Sequence, residues 1–194
     1  MLALLVPALL MVGLAHATSA AAQDDAAARK RMVEEIVMMA RETGAETGRG
    51  RFRDAVTNAM GKVPRHRFVP TPQESFAYDN RPLEIGDGQT ISQPYIVALM
   101  TDLIDPKPTD VVLEIGTGSG YQAAVLAELV ARVYTVEIVE PLGLRAAKVL
   151  GELGYRNVQA RIGDGYAGWP EAAPFDAIVV TAAAAAVPSP SSTS

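Results

Sequence analysis

Apolar residues between Asp24 and Ala40 fall at Met32, Val33, Ile36, Val37 and Met39, the spacing of one helical face, and predict an amphipathic helix. Gly44, Gly48 and Gly50 break that pattern. A second, short helix fits Phe52 to Met60, stopped by Gly61 and by Pro64, whose ring disfavours a helical conformation in the residue before it. Val63 to Pro72 reads as extended or looped, and Tyr78 to Gly88, with Pro82, Gly86 and Gly88, as an irregular connection. Thr90-Ile91-Ser92-Gln93-Pro94 then opens a helix to about Ile104, with Ser92 at the expected N-cap.

Beyond Pro108 the rhythm changes. The β-rich runs Val111–Ile115, Val133–Ile138, Val158–Ile162 and Phe175–Thr181 are separated by helical stretches at Gln122–Leu129 and Leu142–Leu153. Strands joined by helical crossovers lie parallel, so the pattern predicts an α/β fold with an open, doubly wound, mainly parallel sheet and helices on both faces. Ligands of such sheets bind beyond the carboxyl ends of the strands, where every motif described below falls.

The two ends read differently. Met1 to Ala15 is an apolar run followed by small residues at Ala17, Ala20 and Ala22, the form of a secretory h-region with its cleavage sites. Residues 1–22 are therefore expected to be a signal peptide, with a periplasmic or secreted product. No Lys or Arg precedes the run, and an apolar extension on a cytoplasmic protein is the alternative. The run is short for a bilayer span. Residues 23–181 form the expected domain, and Ala182 to Ser194, AAAAAVPSPSSTS, is expected to be a disordered low-complexity tail. An apolar strand at Phe175–Thr181 with nothing beside it suggests that further strands of the sheet are missing.

Composition narrows the chemistry. The 194 residues, with 49 % hydrophobic and 20 % charged residues, suit one globular domain. The net charge is -5, and the acidic excess falls after Thr71, so a phosphate backbone would be repelled and no nucleic-acid partner is expected. With no cysteine, thiolate nucleophiles and Cys-ligated zinc are excluded. With only His16 and His66, neither a Ser-His-Asp triad nor a multi-histidine metal site fits, and no metal is expected. His66, between Arg65 and Arg67, reads as a surface or packing residue, and Trp169 as a packing anchor.

Val111-Val112-Leu113-Glu114-Ile115-Gly116-Thr117-Gly118-Ser119-Gly120 is a strand entering a glycine-rich turn and then a helix, the context in which glycines let a ligand approach the backbone. A dinucleotide fingerprint would place glycine where Tyr121 stands. Glu114 at the mouth of the turn would repel a pyrophosphate and favour a ligand carrying an ammonium and a sulfonium, such as S-adenosylmethionine. Glu137 ends the second strand, where a carboxylate can accept hydrogen bonds from both ribose hydroxyls. Asp164-Gly165 follows the third strand, where the acid could accept from the adenine amino group and the glycine permits a tight turn. Glu114, Gly116, Thr117, Gly118, Gly120, Glu137, Asp164 and Gly165 are the expected cofactor contacts. Together they resemble the Rossmann-like S-adenosylmethionine-dependent methyltransferases.

Upstream, Val63 to Pro70, Tyr78 to Pro82 and Gly88-Gln89-Thr90-Ile91-Ser92-Gln93-Pro94-Tyr95 resemble the signature of the protein-L-isoaspartate O-methyltransferases, and the resemblance runs from about Met32 to Ala183. It implies methyl transfer to the free carboxylate of L-isoaspartyl and D-aspartyl residues in damaged proteins and peptides. The ester then collapses to a succinimide that reopens partly to aspartate. The resemblance also implies Ser92 as the active-site residue and Thr90 and Gln93 as substrate contacts; a monomer without stable membrane association is expected. For Ser92 a bland alternative remains, a pure helix cap. A carboxylate nucleophile with a pKa near ~4 is ionised at neutral pH and needs no general base, so scarce histidine is no obstacle. Three other readings stay open: a truncated remnant that binds the cofactor or nothing, a methyltransferase for another carboxylate or small molecule, and an oxidoreductase, against which Tyr121 and Glu114 count.

Overall fold

A computed structural model of the chain describes residues 6–182, with side chains from Asp24 onward. Helix α1 (Val6–Glu42) continues well upstream of the amphipathic pattern. Its Met32, Ile36 and Ala40, four residues apart, are fully buried and form the stripe that the sequence outlined. A single turn α2 (Gly44–Thr47) leads to α3 (Asp54–Lys62), which buries Val56, Ala59 and Met60. Helix α4 (Pro94–Leu103) packs against both α1 and α3. Asp102 near its end is buried; it accepts from the Arg53 backbone N–H at 2.9 Å and pairs with Arg49 and Arg53 at 3.3 and 3.4 Å.

Val63 to Pro72 is coiled more tightly than expected, into 3₁₀ turns at Arg65–Phe68 and Thr71–Phe76. The connection expected to be irregular is instead a hairpin: β1 (Leu83–Gly86) pairs antiparallel with β2 (Gln89–Ile91). Its turn places Asp87 and Gly88 at φ 53° and 70°, the double left-handed conformation that matches strand twist and that Asp-Gly favours. Leu83 and Ile85 are buried and alternate with an exposed Glu84. Pro82 and two glycines obscured this short alternation in the sequence.

The main sheet follows the expected alternation. Strands β3 (Val111–Ile115), β4 (Arg132–Glu137), β5 (Val158–Ile162) and β6 (Ala177–Val180) are parallel in the order β5-β4-β3-β6, with α5 (Tyr121–Ala127) and α6 (Glu140–Glu152) as crossovers. The chain steps from β3 to β4 to β5 and then returns across the sheet to lay β6 on the other side of β3. The strand order reverses at β3, and the splayed connections there open a crevice above the carboxyl ends.

One sheet face carries Val112 and Val133 into the main core with Leu126 of α5 and Leu142 and Leu150 of α6. On the other face Leu113, Tyr134 and Val136 are covered by Trp169, Ala172 and Phe175. Trp169 and Phe175 meet the Tyr134 ring edge-on at 5.0 and 5.7 Å, and the Arg161 guanidinium stacks over Trp169 at 4.2 Å. Among the described residues this cover consists of 3₁₀ turns at Gly165–Ala167 and Pro170–Ala172 rather than a helix. Strand β6 leaves Ile178 58 % exposed. The side chains of the apolar N-terminal run and the tail after Ala182 lie outside the described residues, and among those no helix is long and apolar enough to cross a membrane.

Candidate active site

A cavity of about 500 Å³ opens above the carboxyl ends of β3, β4 and β5, and the segment after β2 forms another part of its wall. Of the residues expected from sequence, Thr90, Ser92, Glu114, Gly116, Thr117, Gly118, Glu137, Asp164 and Gly165 all line it. No lysine, arginine or histidine does, among the described residues.

Glu114 is fully buried near the carboxyl end of β3. Its Oε2 accepts from the Thr135 hydroxyl at 2.6 Å, and the Thr117 hydroxyl lies 2.6 Å from that of Thr135. Thr135 gives its proton to the carboxylate, so Thr117 donates to Thr135 and the three side chains form a one-way relay. Oε1 of Glu114 is buried without a hydrogen-bond partner. Burial, with a smaller contribution from nearby Glu137, pushes the Glu114 carboxyl up to about 8, against the opposing hydrogen bond from Thr135.

Glu137 ends β4, its Oε2 accepting from the Gly118 N–H at 2.7 Å and its Oε1 from the Val139 N–H at 2.9 Å. Each oxygen keeps further lone pairs for ligand hydroxyls. Asp164 caps the turn after β5 by accepting from the Tyr166 N–H at 2.9 Å. At Gly116 the backbone takes φ 99°, and a Cβ would lie 2.9 Å from both the Thr181 hydroxyl and the Ala182 Cβ. Glycine is therefore required for β3 to turn under the ligand while β6 stays in register.

Two expected residues stand elsewhere. Gln93 is turned away from the cavity: its Nε2 donates to the Asn80 carbonyl at 2.9 Å and touches the Met39 sulfur, so it fastens the segment rather than meeting substrate. Gly120 does not line the cavity either; a Cβ there would press on Leu150 and Ala146 at 3.2–3.3 Å, so its missing side chain lets the turn before α5 lie close against α6. The capping alternative for Ser92 also fails, because Gln93 is the N-cap residue of α4 and no side chain caps that helix. Ser92 is instead held by its backbone carbonyl, which accepts from Arg65 Nη2 at 2.8 Å. His66 packs its Nδ1 against the Tyr78 hydroxyl at 2.7 Å, and neither it nor Trp169 reaches the cavity.

Sequence reasoning missed Gln122, Thr135, Thr181 and the positioning contact of Arg65. The signal for Gln122 was weak but present: a polar side chain in the first turn of a helix otherwise composed of apolar residues and Tyr121.

The buried, unpartnered Glu114 carboxylate oxygen, the side-chain-free backbone at Gly116 and the wholly acidic charge of the lining fit a cationic adenosyl ligand better than a pyrophosphate. The strand order and the site together define a Rossmann-like S-adenosylmethionine-dependent methyltransferase.

Residues 35–193 match the family model for protein-L-isoaspartate(D-aspartate) O-methyltransferase. The chain belongs to that family. It is 63 % identical over 159 residues to protein-L-isoaspartate O-methyltransferase 2 of a Polaromonas species, covering 82 % of this chain and 75 % of the relative. It is 61 % identical over 162 residues to protein-L-isoaspartate O-methyltransferase 1 of Cupriavidus necator, covering 84 % of this chain and 62 % of the relative. A solved protein-L-isoaspartate O-methyltransferase superposes with a TM-score of 0.66 at 31 % identity, over 77 % of this chain and 47 % of that one. A Plasmodium falciparum chain assigned to the same family and solved with S-adenosyl-L-homocysteine gives 0.62 at 26 %, over 77 % of this chain and 75 % of that one. The chain thus spans between about half and three quarters of the length of these relatives.

Proposed function

We propose that this chain transfers a methyl group from S-adenosylmethionine to the free carboxylate of L-isoaspartyl and D-aspartyl residues in damaged proteins and peptides. The observation that carries this reading is the meeting in one cavity wall of two separate sequence blocks: the Gln89–Ser92 segment and the acidic glycine turn from Glu114 to Gly118. The first block carries the resemblance to this family in particular, and the second is shared with methyltransferases at large.

When bound, the cofactor supplies an electrophilic methyl carbon on a sulfonium. The protein has no proton to remove, because the nucleophile is already a carboxylate. Its work is to hold the carboxylate in line with the methyl carbon and to exclude water, so that the reaction proceeds by proximity. Ser92 is assigned the contact with the isoaspartyl group and Thr90 a neighbouring one. Glu114, Gly116, Thr117, Gly118, Glu137, Asp164 and Gly165 are assigned to the cofactor.

The direct test is methyl transfer from labelled S-adenosylmethionine to an isoaspartyl peptide beside its aspartyl twin, with the full 194-residue chain. Label in the isoaspartyl peptide alone is expected; label in both peptides or in neither overturns the reading. The reading extends to a monomer with no stable membrane association and no nucleic-acid partner, to be checked by sedimentation and vesicle flotation. It also takes the first 22 residues as an export signal; a reporter fused after Gln23 should appear outside the cytoplasm, and retention there would assign the chain to the cytoplasm instead.

A further inference from the structure

Gln122 projects from the first turn of α5 into the cavity wall and is 6 % exposed. Its amide Nε2 donates to the Thr101 hydroxyl at 2.8 Å, and that hydroxyl donates onward to the Val97 carbonyl at 2.7 Å. This second bond decides the first. With its only proton given to Val97, the Thr101 oxygen can only accept, so it must face the NH₂ end of Gln122. The amide cannot flip without setting its oxygen against the Thr101 oxygen. Oε1 is therefore the end left over, a buried acceptor without a hydrogen-bond partner.

A buried acceptor of this kind is costly until something donates to it. Oε1 of Glu114, near the carboxyl end of the strand that precedes α5, is likewise buried in the cavity lining without a hydrogen-bond partner, and it becomes an acceptor when that carboxyl ionises. Along the sheet order β5-β4-β3, Asp164, Glu137 and Glu114 mark successive positions, and with Glu114 taken as the contact of the ammonium group the amino-acid end of an adenosyl ligand would lie over β3 and the start of α5. That end carries an ammonium group with three donor hydrogens, which can serve two acceptors at once.

We propose that Gln122, oriented by Thr101, is a cofactor-binding residue that accepts a hydrogen bond from the α-ammonium group of the cofactor, sharing it with Glu114. The inference rests on the cofactor reading of the cavity and not on the identity of the methyl acceptor. Thr101 acts only through Gln122 and is a positioning residue.

The test is calorimetric binding of S-adenosylhomocysteine and of its analogue lacking the α-amino group, to the full chain and to Q122M, a variant of similar side-chain volume. The wild type is expected to prefer S-adenosylhomocysteine. Q122M is expected to weaken S-adenosylhomocysteine about tenfold or more, as loss of a hydrogen bond to a charged group would, and to change the analogue's affinity less than about twofold. Equal losses for both ligands, or loss for neither, would overturn the inference. Should Q122M not fold, T101V keeps the glutamine and releases its orientation; the same preference for affecting S-adenosylhomocysteine is expected at smaller size, and an equal effect on both ligands overturns it. A wild-type chain that binds S-adenosylhomocysteine and the analogue equally refutes the ammonium contact alone, whereas one that binds neither refutes the cofactor reading as well.

Discussion

The fully buried guanidinium of Arg65 donates from Nη2 to the backbone carbonyl of Ser92 at 2.8 Å. Its Nε donates to the Ala77 carbonyl at 2.8 Å, and its plane lies over the Tyr121 ring at 4.7 Å. Burial lowers the Arg65 pKa only to about 10, so the group stays charged at neutral pH. One side chain thus ties the 3₁₀ turn before the hairpin to the Ser92 segment and to the helix that follows the glycine turn.

Replacing Arg65 by methionine leaves two carbonyls without their charged donor and is expected to cost about 2–4 kcal/mol of stability, read from urea unfolding. At a temperature where the variant is folded, turnover of an isoaspartyl peptide should fall at least about tenfold while S-adenosylhomocysteine affinity changes less than about threefold. Equal losses in both would reduce Arg65 to a purely structural role. R65K, which can still reach one carbonyl, should recover part of the turnover.

Ser92 itself does not cap a helix, so Ser92→Ala should leave stability within about 0.5 kcal/mol of wild type. Its effect belongs to turnover, with a loss of about tenfold or more measured under saturating cofactor. Unaltered turnover would remove Ser92 from the active site.

Glu114 makes the ligand-free protein pH-dependent. Its folded-state carboxyl is raised from 4.5 to about 8, so the folded protein holds a proton that the unfolded chain releases between these values. The associated stability is fully present below pH 4.5 and is lost as pH rises towards 8. Glu114→Gln should therefore match wild type in thermal midpoint near pH 5 and exceed it near pH 9. An ammonium group placed against Glu114 favours the ionised form, so at pH 7 wild type should release a proton on binding S-adenosylhomocysteine and the glutamine variant should not. Calorimetry in buffers of differing ionisation enthalpy reads this difference.

Gly116→Ala places a Cβ at φ 99° and 2.9 Å from Thr181 and Ala182. A stability loss of about 1–3 kcal/mol is expected, with cofactor affinity reduced at least about tenfold because the turn moves under the ligand. Titration with S-adenosylhomocysteine checks it.

Asp102→Ala strips the buried partner from Arg49, Arg53 and the Arg53 N–H. A loss of about 3 kcal/mol is expected from denaturant unfolding, because the partners sit against a site built for a charge. A loss below about 1 kcal/mol would show that the exposed parts of the arginines are simply re-solvated.

The parallel sheet, its crossovers and much of the cavity wall were legible from local sequence alone. Strand periodicity, a glycine turn and an acid at or near the carboxyl end of each successive strand are short-range signals, and the carboxyl-edge rule carries them to one side of the sheet. The hairpin at Leu83–Ile91 was not legible, because its alternation spans too few residues to stand out beside Pro82 and the glycines. Gln93 and Gly120 were misplaced for a related reason: both lie within motifs whose neighbours line the cavity, and the direction a side chain takes from such a turn depends on what packs behind it. Asn80 and Met39 draw Gln93 away, and Leu150 and Ala146 fill the space beside Gly120. Sequence determined the family, the order of the strands along the chain and the chemical types of the site residues. Only tertiary structure decided that Arg65 holds Ser92, that Thr101 orients Gln122 and that Glu114 is buried enough to hold its proton. Each of these depends on contacts between residues remote in the chain and on the exclusion of water around them, which local sequence does not encode.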